Sequence, residues 1–105
     1  MIIRKGVTVS ATGAVQWADD GPEGPITVSK GGTGVYTLNL PVPALSANSI
    51  AVVVCPRHVD AIPGFSTVVF ASVGNITASA VGIFTGFDSS SYLDWGFTAE
   101  VVYEI

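Results

Sequence analysis

The sequence is poor in charge and in the side chains that most often build catalytic or metal sites. Charged residues make up 11% of its 105 residues, less than half of the roughly 25% that is typical of soluble domains. With one cysteine, Cys55, an intrachain disulfide is impossible. With one histidine, His58, a multi-histidine metal site is excluded and a histidine relay would depend on that single residue. These scarcities disfavour an enzyme, a metal site and a cofactor.

Basic residues and long hydrophobic runs are scarce as well. Four scattered bases stand against eight acids, for a formal net charge of −4, whereas binding to a phosphate backbone needs clustered Lys and Arg. The longest apolar run, Ile50 to Cys55, is far shorter than the roughly 20 residues of a membrane span. The stretch after Met1 lacks the apolar segment of a signal peptide. We expect no nucleic-acid partner, no membrane partner, and a complete chain made in the cytoplasm.

What the sequence does contain is period-two alternation of apolar and polar residues, interrupted by Gly, Pro, Asn and Ser. Hydrophobic residues make up 49% of the chain, enough for one core at this length. Val35 to Leu40 alternates most clearly, and Phe97 to Ile105 repeats the pattern. No stretch keeps a helical period. The sequence predicts one all-β domain over residues 1–105, an antiparallel β-sandwich or jelly roll of about seven or eight strands.

Several local features carry their own predictions. Val7 to Ser10 predicts the first strand, and Gly13 the turn of the hairpin that follows it. The continuous apolar run Ile50 to Cys55 predicts a central strand covered on both faces, with its cysteine a buried and inert thiol. Gly74-Asn75 predicts a turn between a strand that ends at Val73 and one that begins at Ile76.

Polar residues in the expected loops supply one group of candidate binding residues. Arg57, His58 and Asp60 share a loop, a common position for functional clusters, although a solvated polar loop is the plainer interpretation. Asp19 with Asp20, or Asp88 with Asp94, would be the acid pair of a glycosidase or ligands of calcium. Loop acids are more often simply solvated, so we predict no catalytic residue and no metal ligand.

Aromatic residues near loops supply the second group, because exposed aromatic rings can stack on sugar rings. Packing in the core or in an interface is the alternative for each of them. Together with the polar residues, the candidate binding residues are Trp17, Asp19, Asp20, Arg57, His58, Asp60, Phe87, Asp88, Tyr92 and Trp95.

The charge deficit has a structural implication. A sheet with one wet face normally carries charged side chains at its outward positions, yet here those positions are mostly Thr, Ser, Ala, Val and Asn. Interface cores are depleted of charge, and sheet edges without Lys or Pro need a cover. We therefore expect a homo-oligomer, with a trimer favoured.

Two short motifs carry a family resemblance. Gly34-Val35-Tyr36-Thr37-Leu38 resembles the Gly-x-Tyr-x-apolar strand of trimeric jelly rolls of the tumour-necrosis-factor and C1q kind. The strands rich in Gly, Ser, Thr and Ala, with the ending Asp94 to Tyr103, resemble small β-rich modules of bacteriophage tail fibres and capsid decoration proteins. The second resemblance implies a homotrimeric virion component, assembled in the host cytoplasm, that binds other virion proteins or a host surface glycan. A carbohydrate-binding module is the alternative.

Overall fold

The computed structural model describes residues 1–57, 69–87 and 91–105, and nearly all of its regular structure is β-strand. Within these residues one 3-10 turn, Ala47–Ser49, precedes the fifth strand. In chain order the strands are β1 (Ile2–Val9), β2 (Val15–Ala18), β3 (Thr27–Lys30), β4 (Val35–Asn39), β5 (Ile50–Pro56), β6 (Val69–Ile76), β7 (Ala80–Phe87), β8 (Ser91–Tyr92) and β9 (Phe97–Glu104). No helix of the described residues is long and apolar enough to cross a membrane.

The strands form two antiparallel sheets, which confirms the predicted β-sandwich class. Sheet A has the order β2-β1-β9-β5, and sheet B has the order β3-β4-β7-β6. The two-residue strand β8 pairs with β7 at one end of sheet B, and such a short strand leaves little periodicity to find in a sequence. With β8 included, the structure describes nine strands, whereas the sequence predicts about seven or eight.

The core lies between the two sheets and follows the alternation of their strands. In β9, Phe97, Ala99, Val101 and Tyr103 are buried while the intervening residues face outward. Across the sandwich, the Tyr36 ring meets the Phe97 ring edge to face, with centroids 5.1 Å apart, an arrangement that aromatic pairs favour. The alternation in β4 and β9 therefore predicted both the strands and their buried faces.

The position of β5 corrects the prediction for the longest apolar run. This strand pairs with β9 and is the last strand of sheet A among the described residues. Its side chains alternate between half-buried and exposed, so that Ala51, Val53 and Cys55 face outward. Cys55 is therefore an exposed thiol and not a buried one. A continuous apolar run describes which side chains a strand has, but not how many neighbours that strand finds.

Two boundaries also differ from the sequence prediction. The first strand begins at Ile2, because residues 2–9 pair in register with β9 along its whole length. β6 runs through Gly74-Asn75 to Ile76, with a bulge after Val73, and the turn into β7 lies at residues 77–79. Gly13, with φ of 88°, occupies the predicted hairpin turn between β1 and β2.

Lys5 fixes the loop that joins β2 to β3. Its side chain is buried and points inward from β1, and its Nζ donates to the carbonyl oxygen of Asp20. The same Nζ lies 3.1 Å from Oε1 of Glu23. Because a buried ammonium group needs partners, these contacts hold residues 20–23 against β1.

Candidate functional site

Trp17 and Asp19 stand side by side on the outer face of sheet A, above Gly6. A β-carbon at Gly6 would lie 3.0 Å from Cζ3 of Trp17 and 3.2 Å from Oδ2 of Asp19. The main-chain N–H of Gly6 donates to that carboxylate oxygen at 2.7 Å, and the N–H of Asp19 donates to the Gly6 carbonyl at 3.0 Å. The absence of a side chain at Gly6 therefore lets an indole and an anchored carboxylate share one shallow surface. Trp17 remains 55% exposed there.

Hydroxyl and amide groups border this surface. Thr8 is the register partner of Trp17, and its hydroxyl lies 3.3 Å from the hydroxyl of Thr98 on β9. Gln16 precedes the tryptophan on β2 and accepts a hydrogen bond from Nη1 of Arg57. We call Thr8, Gln16, Trp17, Asp19 and Arg57 the Trp17 patch.

Arg57 reaches the patch from the far side of sheet A, at the end of β5. Its main-chain N–H donates to the Gly96 carbonyl at 2.9 Å, and its own carbonyl accepts a hydrogen bond from Nε1 of Trp95 at 2.9 Å. Both main-chain groups of Arg57 are thus fixed from the segment just before β9. Its guanidinium can then extend across the sheet end toward Gln16.

The outer face of sheet B has a different character, because none of its described outward residues is charged. These outward residues alternate with buried ones along each strand and lie opposite one another in the strand register. We call these residues the uncharged face; they are Thr27, Ser29, Val35, Thr37, Asn39, Phe70, Ser72, Ala80, Gly82 and Phe84.

Sheet A shows that the lack of charge is specific to one face. Its outer face carries Arg4, Glu100 and Glu104 on β1 and β9. Arg4 and Glu100 form an ion pair at 2.7 Å in which both side chains are largely exposed. The outward charges of the two described sheets are therefore all on one side of the sandwich.

Tyr92 lies at the end of the uncharged face and is 58% exposed. Its ring stacks on Phe84, with centroids 5.6 Å apart and an angle of 10° between the planes. Phe84 itself covers Gly74, where a β-carbon would collide with the phenyl ring. The bulge in β6 contains Gly74-Asn75, which the sequence predicted to be a turn. Its glycine leaves room for the Phe84 ring and hence for this aromatic pair.

Asp94 acts as a structural carboxylate. Its Oδ1 accepts a hydrogen bond from the N–H of Gly34 at 2.7 Å and lies 3.0 Å from Nζ of Lys30. The hydrogen bond from Gly34 and, after it, the Lys30 charge lower the pKa of this carboxyl group below its ordinary value of 3.8. Asp94 therefore fastens the loop between β3 and β4, and its candidate partner Asp88 lies outside the described residues.

By sequence, the candidate residues fall into polar and aromatic groups, whereas in the structure they lie on different sides of the sandwich. The structure brings Asp19 beside Trp17 at Gly6. It also links Arg57, which lies far away along the chain, to Gln16, the residue before Trp17. Asp20 is exposed in the same loop as Asp19, and its carbonyl oxygen accepts from Lys5. Tyr92 is on the opposite side of the sandwich.

Trp95, a candidate binding residue, is packed inside the protein, which is the alternative that the sequence left open for it. Its side chain is 3% exposed, and its indole N–H is used inside the protein, so the ring cannot stack on a ligand. His58 and Asp60 lie outside the described residues, as does the side chain of Phe87. Gly6 was overlooked, although a glycine inside a strand is a signal of close approach by another group.

The remaining features of the described residues give no sign of a catalytic centre. No three or more His, Cys, Asp and Glu side chains in that part of the chain come together as metal ligands would. A groove of about 530 Å³ lies between β2 and β3, with Val15, Ile26 and Val28 along it. Asp20 is the one titratable residue in its described lining, whereas acid–base chemistry generally needs paired groups.

Comparisons with known proteins found no match: no family model matches the chain, no curated protein matches it, and no solved structure matches it. The features of the chain itself that bear on function are the charged and uncharged faces of the sandwich and the Trp17 patch.

Proposed function

We propose that this chain is a non-enzymatic structural module that assembles with copies of itself through the uncharged face of sheet B, as a homotrimer in a bacteriophage virion. The observation that carries this proposal is the one-sided distribution of charge. The described outward positions of sheet B carry no charged side chain, whereas those of sheet A carry Arg4, Glu100 and Glu104. Lys30 is exposed at the end of β3, but it lies opposite Tyr36 in the register and so has an inward position. Depletion of charge is the compositional signal of an interface core.

Electrostatics favour a second copy as the partner of the uncharged face. Each chain carries a formal net charge of −4, so copies repel one another, and the repulsion is strongest between charged surfaces. Contact through a face without charges buries no unpaired ion, which would be expensive. Thr37 and Asn39 on β4 instead offer hydroxyl and amide groups that can be satisfied across an interface.

The trimeric state and the virion setting come from the family resemblance. In this arrangement the three uncharged faces turn toward a three-fold axis, and the charged outer faces of sheet A point away from it. The module would then serve as a tail-fibre or tail-tip domain, or as a capsid decoration protein, with sheet A open to a host surface. The expected genomic setting is among capsid or tail genes, and a metabolic operon would speak against it.

A matched pair of substitutions tests the interface. Thr37 on β4 and Thr98 on β9 are both outward-facing threonines on inner strands of their sheets. Thr37→Lys places a charge on the uncharged face, and we expect it to lower the mass of the native protein toward that of a single chain in light scattering. Thr98→Lys adds the same charge to sheet A and should leave the mass unchanged. Equal masses for both variants and the parent would contradict the proposed interface.

A second role, glycan binding, is favoured by one specific observation. The exposed indole of Trp17 lies beside the anchored carboxylate of Asp19. An exposed ring next to a hydrogen-bonding side chain is the feature that a carbohydrate-binding module needs.

A further inference from the structure

We infer that the Trp17 patch is a saccharide-binding site that takes one neutral hexopyranose ring stacked on the indole. This inference names the ligand class for the attachment role within the proposed function. Trp17, Thr8 and Asp19 lie on the outer face of sheet A, away from the uncharged face, so binding of a sugar does not require the trimer. Its test and the test of the interface can therefore fail independently.

The stacking surface is already in place. Trp17 lies on an outer strand of sheet A and is 55% exposed. Its ring packs at Gly6, where a β-carbon would come within 3.0 Å of Cζ3. A ring that rests on the sheet in this way loses little further freedom when a ligand arrives, which favours binding.

The polar groups around the ring suit sugar hydroxyls. The Asp19 carboxylate is held in place by the N–H of Gly6 at 2.7 Å, and a carboxylate can accept hydrogen bonds at several lone pairs. Thr8 lies beside Trp17 in register, and its hydroxyl can donate as well as accept. Arg57 adds donors at the edge of the patch and is itself held by Gln16.

These surroundings favour a sugar over another protein chain. The outward positions next to Trp17 are held by a hydroxyl, a glycine and a carboxylate, at Thr8, Gly6 and Asp19. The exposed apolar residues of this face lie away from Trp17: Val53 is on β5, which is separated from β2 by two strands, and Ile2 is at the far end of β1 from Thr8, the register partner of Trp17. Centres of protein interfaces are depleted of acidic residues, whereas pockets for small polar ligands combine an aromatic surface with a few polar groups.

The chain contains two tryptophans, which makes a direct readout possible. Trp17 is 55% exposed and Trp95 is 3% exposed, so the two indole N–H signals in a proton–nitrogen spectrum should be easy to distinguish. We would titrate the intact protein separately with methyl glucoside, methyl mannoside and methyl galactoside. At least one should shift the Trp17 signal with saturation, at a Kd on the order of 1 mM, and leave the Trp95 signal in place.

Substitutions separate this site from alternatives. Trp17→Ala should weaken sugar binding at least about tenfold, as the loss of a stacking ring implies. In the matched control, Tyr92→Ala removes the exposed aromatic residue of the opposite side and should leave the affinity unchanged. Backbone spectra of both variants report whether the fold is retained.

Three results would overturn the inference. The first is the absence of saturable shifts with all three glycosides. The second is equal affinity in the Trp17→Ala variant and the parent protein. The third is a fall in the native mass of Trp17→Ala, which would make Trp17 a contact between subunits.

Discussion

The indole of Trp17 lies across Gly6 of the neighbouring strand, so close that a β-carbon on Gly6 would meet the ring at 3.0 Å. The missing side chain at position 6 therefore decides where the most exposed ring of sheet A lies. It also lets the Asp19 carboxylate approach the main chain of β1. One residue without a side chain thus organises the candidate binding surface.

Gly6→Ala tests this relationship. The added methyl group forces the Trp17 ring or the Asp19 carboxylate to move by a few tenths of an ångström, so the Trp17 indole signal should shift and saccharide affinity should fall several-fold. Nuclear magnetic resonance measures both effects. Gly32→Ala is the control, because a β-carbon there meets nothing within 4 Å. An unchanged indole signal in Gly6→Ala would show that the Trp17 ring does not pack against Gly6.

Lys5 and Arg4 are adjacent bases whose ion pairs should differ in their contribution to stability. Lys5→Met should lower the free energy of unfolding by about 1–3 kcal/mol, because it leaves the Asp20 carbonyl and the Glu23 carboxylate without their buried partner. Arg4→Met should lower it by less than about 1 kcal/mol, since its pair with Glu100 is exposed. Urea unfolding at one protein concentration compares the two variants. A larger loss of unfolding free energy in Arg4→Met than in Lys5→Met would contradict the greater contribution expected from the buried pair.

Gly34 should tolerate no side chain. Its φ of 69° strains any other residue, and a β-carbon would collide with the carbonyl oxygen of Thr85, a main-chain atom that cannot rotate away. Gly34→Ala should therefore destabilise the protein by about 2 kcal/mol or more in urea unfolding. The same change at Gly32 should shift stability by less than about 0.5 kcal/mol. Similar stability of the Gly34→Ala and Gly32→Ala variants would contradict the close packing of Gly34 against the Thr85 carbonyl.

Asp94 should make stability depend on pH at the acidic end. Its pKa in the folded protein is lowered below 3.8 by the Gly34 N–H and the Lys30 charge, so the carboxylate form stabilises the fold. That contribution is present above the pKa of the unfolded chain and is lost as pH falls through the lowered folded-state pKa. Thermal unfolding between pH 6 and about pH 2 should therefore show a smaller acid-induced loss for Asp94→Asn than for the parent. Identical pH profiles for Asp94→Asn and the parent protein would show that the Asp94 carboxylate does not contribute to this pH dependence.

Cys55 should react readily with a thiol reagent in the native protein. It is exposed on the outer face of sheet A, and the proposed interface uses the opposite sheet, so assembly does not cover it. Ellman's reagent should modify it without denaturant, at a rate close to that of the unfolded chain. Protection that disappears only on unfolding would show that sheet A is also buried in the assembly.

The sequence revealed those parts of the fold that depend on local alternation. The pattern in Val35 to Leu40 and in Phe97 to Ile105 gave both the strands and their inward residues, since side chains of a strand alternate between its faces. The edge position of β5 could not be found in this way, because the composition of Ile50 to Cys55 does not say which strands pair with it.

The candidate site depends on long-range pairing and was predicted less completely. Trp17, Asp19 and Arg57 were recognised as individual candidates, but their common surface arises from the order β2-β1-β9-β5. The sequence could not decide whether Trp95 is exposed or packed, because the Arg57 carbonyl that accepts from its indole N–H is distant along the chain. The predicted turn at Gly74-Asn75 is wrong because it was based on local composition alone. Gly74 lies within β6, where the Phe84 ring of the neighbouring strand leaves no room for a side chain.

The native mass of the unmodified chain shows whether the protein assembles through the uncharged face. We expect light scattering at micromolar concentration to give three times the chain mass of 10.8 kDa. Thr37→Lys should lower this mass, and Thr98→Lys should not. A mass of one chain across the micromolar range would contradict assembly through the uncharged face.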